Sequence, residues 1–175
     1  MKISIDLSVY MPMFNSKHIG WLPFESLIRQ TNINFGWELI IAEELEYSPF
    51  GQDKIMEYSD RLKKIGCQRI QYIGLKDWMP LGDKTNMLIE NTTSSSFAIC
   101  GQSNDYYSPP NRLSLSHKIF KGDEYNWLIP EKAIYYNIPD GKVILHDATT
   151  LKRKDDVEPT TIVAGSPAIK IRDIR

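Results

Sequence analysis

Ile3, Ile5, Leu7 and Val9 recur at every second position near the start of the chain. That period puts alternate side chains on one face of a half-buried strand. Met11-Pro12-Met13-Phe14-Asn15 ends the strand as a turn. Residues 18–30 then read as a helix closing on Leu27, Ile28 and Gln30. Trp37 to Ala42 is a second apolar strand, trailed by Glu43 and Glu44. Ile55, Tyr58, Leu62 and Ile65 fall on one helical face, and Gly66 supplies a C-terminal stop. Arg69 to Ile73 predicts a third strand, Lys84 to Asn91 a helix, Phe97 to Cys100 a fourth strand, and 109–118 a further helix.

Strands alternating with helices over the first hundred residues predict a βαβ fold with a largely parallel sheet. Such sheets bind ligands beyond the carboxyl ends of their strands. That rule points to the loops 11–17, 43–50, 74–84 and 101–109, where the unusual polar chemistry lies. The pattern changes after residue 120. Ala133 to Tyr136 and Lys142 to His146 flank Ile138-Pro139-Asp140-Gly141, a hairpin signal. The charged stretch 150–160 reads as a solvated loop, and Thr161 to Ile171 as a last β-prone segment. The expectation is one domain over 1–175, with a ligand-binding part at 1–118 and a short β-rich part at 119–175.

Composition narrows the function. The chain has 175 residues, 42% hydrophobic and 25% charged, the profile of a folded globular domain. A net charge of -1 argues against a large nucleic-acid footprint. No apolar run reaches the roughly 20 residues of a membrane span. Cys67 and Cys100 lack metal-type pairing and read as buried thiols in a reducing compartment, with a single disulfide as the lesser alternative. The expectation is a cytoplasmic protein, unless it is carried elsewhere as part of an assembly.

Several segments together resemble family 2 glycosyltransferases. Leu7 to Asn15 is similar to the family's opening strand and loop: apolar residues, a proline, an aromatic, then asparagine. Ser26-Leu27-Ile28-Arg29-Gln30-Thr31 resembles the following helix end, and Trp37 to Glu44 the second strand with trailing acids. Lys84-Thr85-Asn86 sits where the family has a basic residue and an asparagine opening a helix. Phe97 to Arg112, with Asn104-Asp105-Tyr106-Tyr107-Ser108-Pro109, resembles the strand leading into the acidic motif. The resemblance covers about residues 5–115, and the order and spacing of its pieces carry it.

The resemblance implies a GT-A-like, Rossmann-related fold: a mostly parallel sheet flanked by helices, with a β-hairpin-rich C-terminal part. It implies inverting, metal-assisted transfer of a sugar from a nucleotide-sugar donor of UDP type to a hydroxyl acceptor. Pro12 and Phe14 would wall the base, with Asn15 completing the loop. Glu44, where the family has Asp, would accept from an imide N–H, Lys84 would face the diphosphate, and Asn86 would brace the loop. Gln102 and Asn104 occupy the acidic motif, so Asn104 and Asp105 are the candidate ligands for Mn²⁺ or Mg²⁺. The family's acidic pair that supplies the base is absent after Ala164-Gly165-Ser166, and Asp147, beside His146, is the local substitute.

Three other readings compete. The amide residues at 102 and 104 and the missing acidic pair suit a glycosyltransferase-like module that has lost turnover and serves in self-association or in an assembly. Trp21, Trp78, Trp127, Tyr106 and Tyr107 would then offer a protein interface, or an acceptor face in an active enzyme. Thr161 to Arg172 also resembles the closing segment of hexapeptide-repeat acyltransferases, but nothing upstream repeats at that period. A doubly wound nucleotidyltransferase would need a glycine-rich loop after the first strand, and residues 10–17 contain no glycine.

Overall fold

The computed structural model describes residues 4–93 and 107–121 in full, together with the backbone of 98–101 and of six strands between residues 125 and 173. The chain divides into two compact units, Met1–Lys121 and Gly122–Arg175.

The first unit runs β1 (Leu7–Met13), α1 (Trp21–Ile28), β2 (Trp37–Glu44), α2 (Gln52–Glu57), α3 (Ser59–Lys64), β3 (Cys67–Leu75), α4 (Leu81–Glu90), β4 (Ala98–Gly101) and α5 (Arg112–Lys121). The strands form one sheet in the order β3-β2-β1-β4, and every pair is parallel. Leu7 lies opposite Trp37 on one side and Ala98 on the other.

Parallel sheets are covered on both faces, so an inner strand is apolar in both phases. β2 is buried at all eight positions, five of them apolar, with Glu38, Glu43 and Glu44 the exceptions. Its odd positions Trp37, Leu39 and Ile41 join Leu7, Val9, Met11 and Met13 against Phe24 and Leu27 of α1, Ile55 of α2, Leu62 of α3 and Leu113 of α5. Its even positions Ile40 and Ala42 pack on Leu88 of α4, with Tyr10, Ile73, Leu75 and Met87 around them. The result is a helix–sheet–helix sandwich: the parallel α/β sheet that the alternation of elements predicts, in the GT-A-like form that the resemblance implies.

The boundaries differ from the sequence expectations for identifiable reasons. Helix α1 begins at Trp21, not at 18, because Ile19 and Gly20 N–H both turn back to the Ser16 carbonyl. A Cβ on Gly20 would stand 2.6 Å from Phe50 Cγ, so only glycine lets this turn pass. The single helix expected over 55–65 is α2 followed by α3. Tyr58 joins them in helical conformation, its N–H reaching the Ile55 carbonyl in a tighter turn. Gly66, at φ 90°, ends α3 as expected. Helix α4 starts three residues early, at Leu81 behind Pro80, whose fixed φ suits a helix entry. Strand β2 continues through Glu43 and Glu44, two acids drawn into the interior by donors on other elements.

In the second unit, β5 (Tyr125–Ile129) pairs antiparallel with β8 (Thr150–Arg153), and β6 (Lys132–Asn137) with β7 (Lys142–Asp147). Ile129 lies opposite Thr150 and Lys132 opposite Asp147, and the β5–β8 register shifts between Tyr125 and Trp127. Thr150–Arg153, expected within a solvated loop, is therefore a strand: the ladder to β5 satisfies its backbone. β9 (Thr161–Ala164) pairs antiparallel with β10 (Ile169–Asp173).

Candidate functional site

β1 and β2 end side by side, Met13 opposite Glu43, at the carboxyl edge of the sheet. The chain leaves β1 through Asn15, at φ 47°, a left-handed conformation that asparagine tolerates better than most residues. The turn leaves Phe14 44% exposed and buries Ser16 completely. Tyr47, from the loop after β2 and also exposed, sets its ring 5.4 Å from Phe14, tilted by 38°.

The two acids at the end of β2 point to opposite faces, as strand alternation requires. Glu43 is fully buried and holds the loops together. It accepts the Ser16 hydroxyl, the Phe50 N–H at 2.7 Å, the Gly51 N–H at 3.0 Å and the Tyr72 hydroxyl at 3.1 Å. Burial, then the Glu43 charge, pushes the Tyr72 phenol above its ordinary range, so it stays a donor.

Glu44 is also fully buried and meets the Lys84 ammonium at 2.5 Å. Lys84 donates as well to the Met13 carbonyl at 3.0 Å and lies 5.8 Å from the centroid of the Phe14 ring. The Met79 N–H reaches the other Glu44 oxygen at 3.4 Å. Lys84 belongs to the first turn of α4, where the helix dipole disfavours a cation. Only 2% of it is exposed, and Glu44 is the charge that makes such burial tolerable.

A third buried acid, Glu38, shares the Glu44 face of β2 nearer the strand's start. It accepts Ser8 Oγ at 2.5 Å, Thr93 N–H at 2.6 Å, Thr93 Oγ1 at 2.7 Å and Arg69 at 2.7 Å. Burial works to raise its pKa, but these donors outweigh it and the net shift is downward. This cluster fastens the segment after α4 to three strands and is structural.

The residues named from the sequence divide into three groups. Phe14, Glu44 and Lys84 come together at the sheet's carboxyl edge, with Asn15 in the adjoining turn. Pro12 lies half-buried within β1 opposite Ala42, and Asn86 is exposed on α4, about 200° round the helix from Lys84. Gln102, Asn104, Asp105 and Tyr106 lie outside the described residues. For Asp147 and Trp127 only the strand backbone is described. Trp21, Trp78 and Tyr107 are exposed, as expected. Cys67 is a buried free thiol, whereas the Cys100 side chain lies outside the described residues. Sequence reasoning gave no role to Tyr47, Glu43, Ser16 or Tyr72. Their one signal was two adjacent carboxylates at the end of an apolar strand.

Among the described residues no three His, Cys, Asp or Glu side chains group as a metal site. No helix among them is long and apolar enough to cross a membrane. No family model matches the chain, and no curated protein matches it in sequence. Solved structures do match its fold. The crystal structure of Staphylococcus aureus TarS 1–349 superposes with a TM-score of 0.57 at 14% identity, covering 68% of this chain and 33% of that one. TarS 1–349 in complex with UDP gives 0.55 at 14%, covering 68% and 33%, and its complex with UDP-GlcNAc gives 0.55 at 16%, covering 68% and 32%. The chain thus spans about a third of the length of these neighbours, and at such identities the likeness is one of fold.

Proposed function

We propose that this chain binds the nucleotide part of a nucleotide-sugar donor, as the donor-side half of an inverting family 2 glycosyltransferase of GT-A type. The observation that carries the proposal is the meeting of Phe14, Glu44 and Lys84 at the carboxyl edge of a β3-β2-β1-β4 parallel sheet. Open α/β sheets bind ligands at this edge. The fold neighbour has been crystallised with UDP and with UDP-GlcNAc, which favours a uridine-type donor here.

On this reading the Phe14 ring offers a face to the base, and Asn15 shapes the turn beneath the ribose and diphosphate. Transfer to a hydroxyl acceptor needs a general base, for which Asp147 is the candidate. Asn104 and Asp105 are the candidate ligands for Mn²⁺ or Mg²⁺. This stretch supplies one carboxylate, with Gln102 and Asn104 giving neutral amide oxygens. That donor set is poor for a hard divalent cation. The chemistry suits a protein of the cytoplasm, where nucleotide sugars are made. Calorimetry with UDP, with and without Mn²⁺, tests the proposal. Micromolar to submillimolar binding is expected, and folded protein that ignores millimolar UDP would overturn it.

A second reading, a glycosyltransferase-like module without turnover, draws on Gln102, Asn104 and the closed Glu44–Lys84 pair. It predicts UDP binding with no hydrolysis of UDP-GlcNAc at high protein concentration. Asn104→Asp then raises metal affinity if the register of the acidic motif is assigned correctly.

A further inference from the structure

Resting on the nucleotide reading, we propose that Lys84 is a positioning residue: it locks Glu44 and the end of β1 beneath the Phe14–Tyr47 aromatic pair, and does not itself contact the donor's diphosphate. Three observations combine. Lys84 is 2% and Glu44 0% exposed, so neither presents its charge to a ligand at the surface. The ammonium has two partners on two strands, Glu44 of β2 and the Met13 carbonyl of β1, and its own stem belongs to α4. It therefore ties three elements at one point. Its place in the first turn of α4 is electrostatically unfavourable, which makes sense for a cation committed to a buried carboxylate. To reach a diphosphate Lys84 would have to leave Glu44 as an uncompensated buried charge, which is costly.

The aromatic pair stands exposed beside the lock. Phe14 and Tyr47 are both more than two-fifths exposed and 5.4 Å apart. They offer π-faces to a planar heteroaromatic ring, and neither carries a charge a phosphate would seek. Phe14 directly follows Met13, whose carbonyl Lys84 holds, and Tyr47 follows Glu44 by three residues. Holding Met13 and Glu44 therefore sets the separation of the two rings. The geometry assigns base contact to the aromatics and leaves Lys84 the task of keeping them in place.

The test compares full-chain wild type with Lys84→Met by binding of uridine and of UDP, and by amide hydrogen exchange without ligand. A positioning residue gives a common loss: both affinities fall by the same factor, about ten, because both ligands share the base. Exchange then rises at residues 13–16 and 44–47 while α3 is unchanged. Loss of UDP affinity with uridine affinity intact identifies a phosphate ligand and overturns the proposal. Unchanged exchange overturns the lock. If wild type binds neither ligand, the nucleotide reading itself fails, and the exchange pattern alone decides the lock. Should Lys84→Met not fold, Lys84→Gln keeps a donor towards Glu44 without the charge and supports the same comparisons. Lys84→Met/Glu44→Met removes the buried charges together for the exchange measurement.

Discussion

Glu38 and Arg69 meet at 2.7 Å across the β2–β3 ladder, with the carboxylate buried and the guanidinium partly exposed. Together with Ser8 and Thr93 they lower the Glu38 pKa below its ordinary 4.5 despite burial. A carboxyl with a depressed folded-state pKa adds stability above its unfolded pKa. That contribution is lost as pH falls through the folded value. Glu38→Gln should therefore cost about 2 kcal/mol at pH 7. The gap to wild type should narrow steadily below about pH 4.5. Urea denaturation from pH 7 to pH 3 measures it, and a gap constant with pH would refute the assignment.

Glu43 holds four donors from three segments, so its loss strands several buried groups at once. Glu43→Ala is expected to destabilise the first unit by about 3 kcal/mol, and Tyr72→Phe by about 1 kcal/mol. Amide exchange should accelerate at Phe50 and Gly51 in the first variant alone.

Tyr47 tests the aromatic pair separately from the buried charges. The side chain is 42% exposed, so Tyr47→Ala should shift stability by no more than about 0.5 kcal/mol. Loss of one stacking partner should weaken UDP binding by about 1–2 kcal/mol, close to tenfold. Calorimetry reads the affinity and thermal unfolding reads the stability. Tyr47→Phe, which retains the ring, should bind like wild type.

Cys67 is expected to be chemically silent. Burial pushes its thiol pKa up to about 12, leaving almost no thiolate at neutral pH. Iodoacetamide at pH 8, read by peptide mass, should label Cys67 only after denaturation. Rapid labelling of the native protein would show that this part of the sheet opens.

The fold of the first unit was legible because its signals are local. The period-two run from Leu7 and the apolar block at Trp37 each mark a strand that the sheet realises. Gly66 stops a helix where its positive φ is needed. The site was half legible. Phe14, Glu44 and Lys84 were found by their order along the chain, but nothing in that order says that Glu44 and Lys84, forty positions apart, neutralise one another. The same limit hid Tyr47 and the four donors of Glu43, whose roles exist only once loops from three places converge. Nothing in the sequence marks adjacent glutamates at a strand end as buried. The donors on other elements that bury them are a tertiary property.

The strand order also governs how the chain reaches its native state. β1 is made before β2 and β4, yet it lies between them, and Leu7 must find Ala98 across most of the unit. Such pairing closes a long loop before any contact rewards it, which slows folding. During synthesis β1 and β2 emerge early and pair, leaving the far edge of β1 open until β4 and the segment behind it leave the ribosome. That open edge is where a nascent chain is exposed to misassembly.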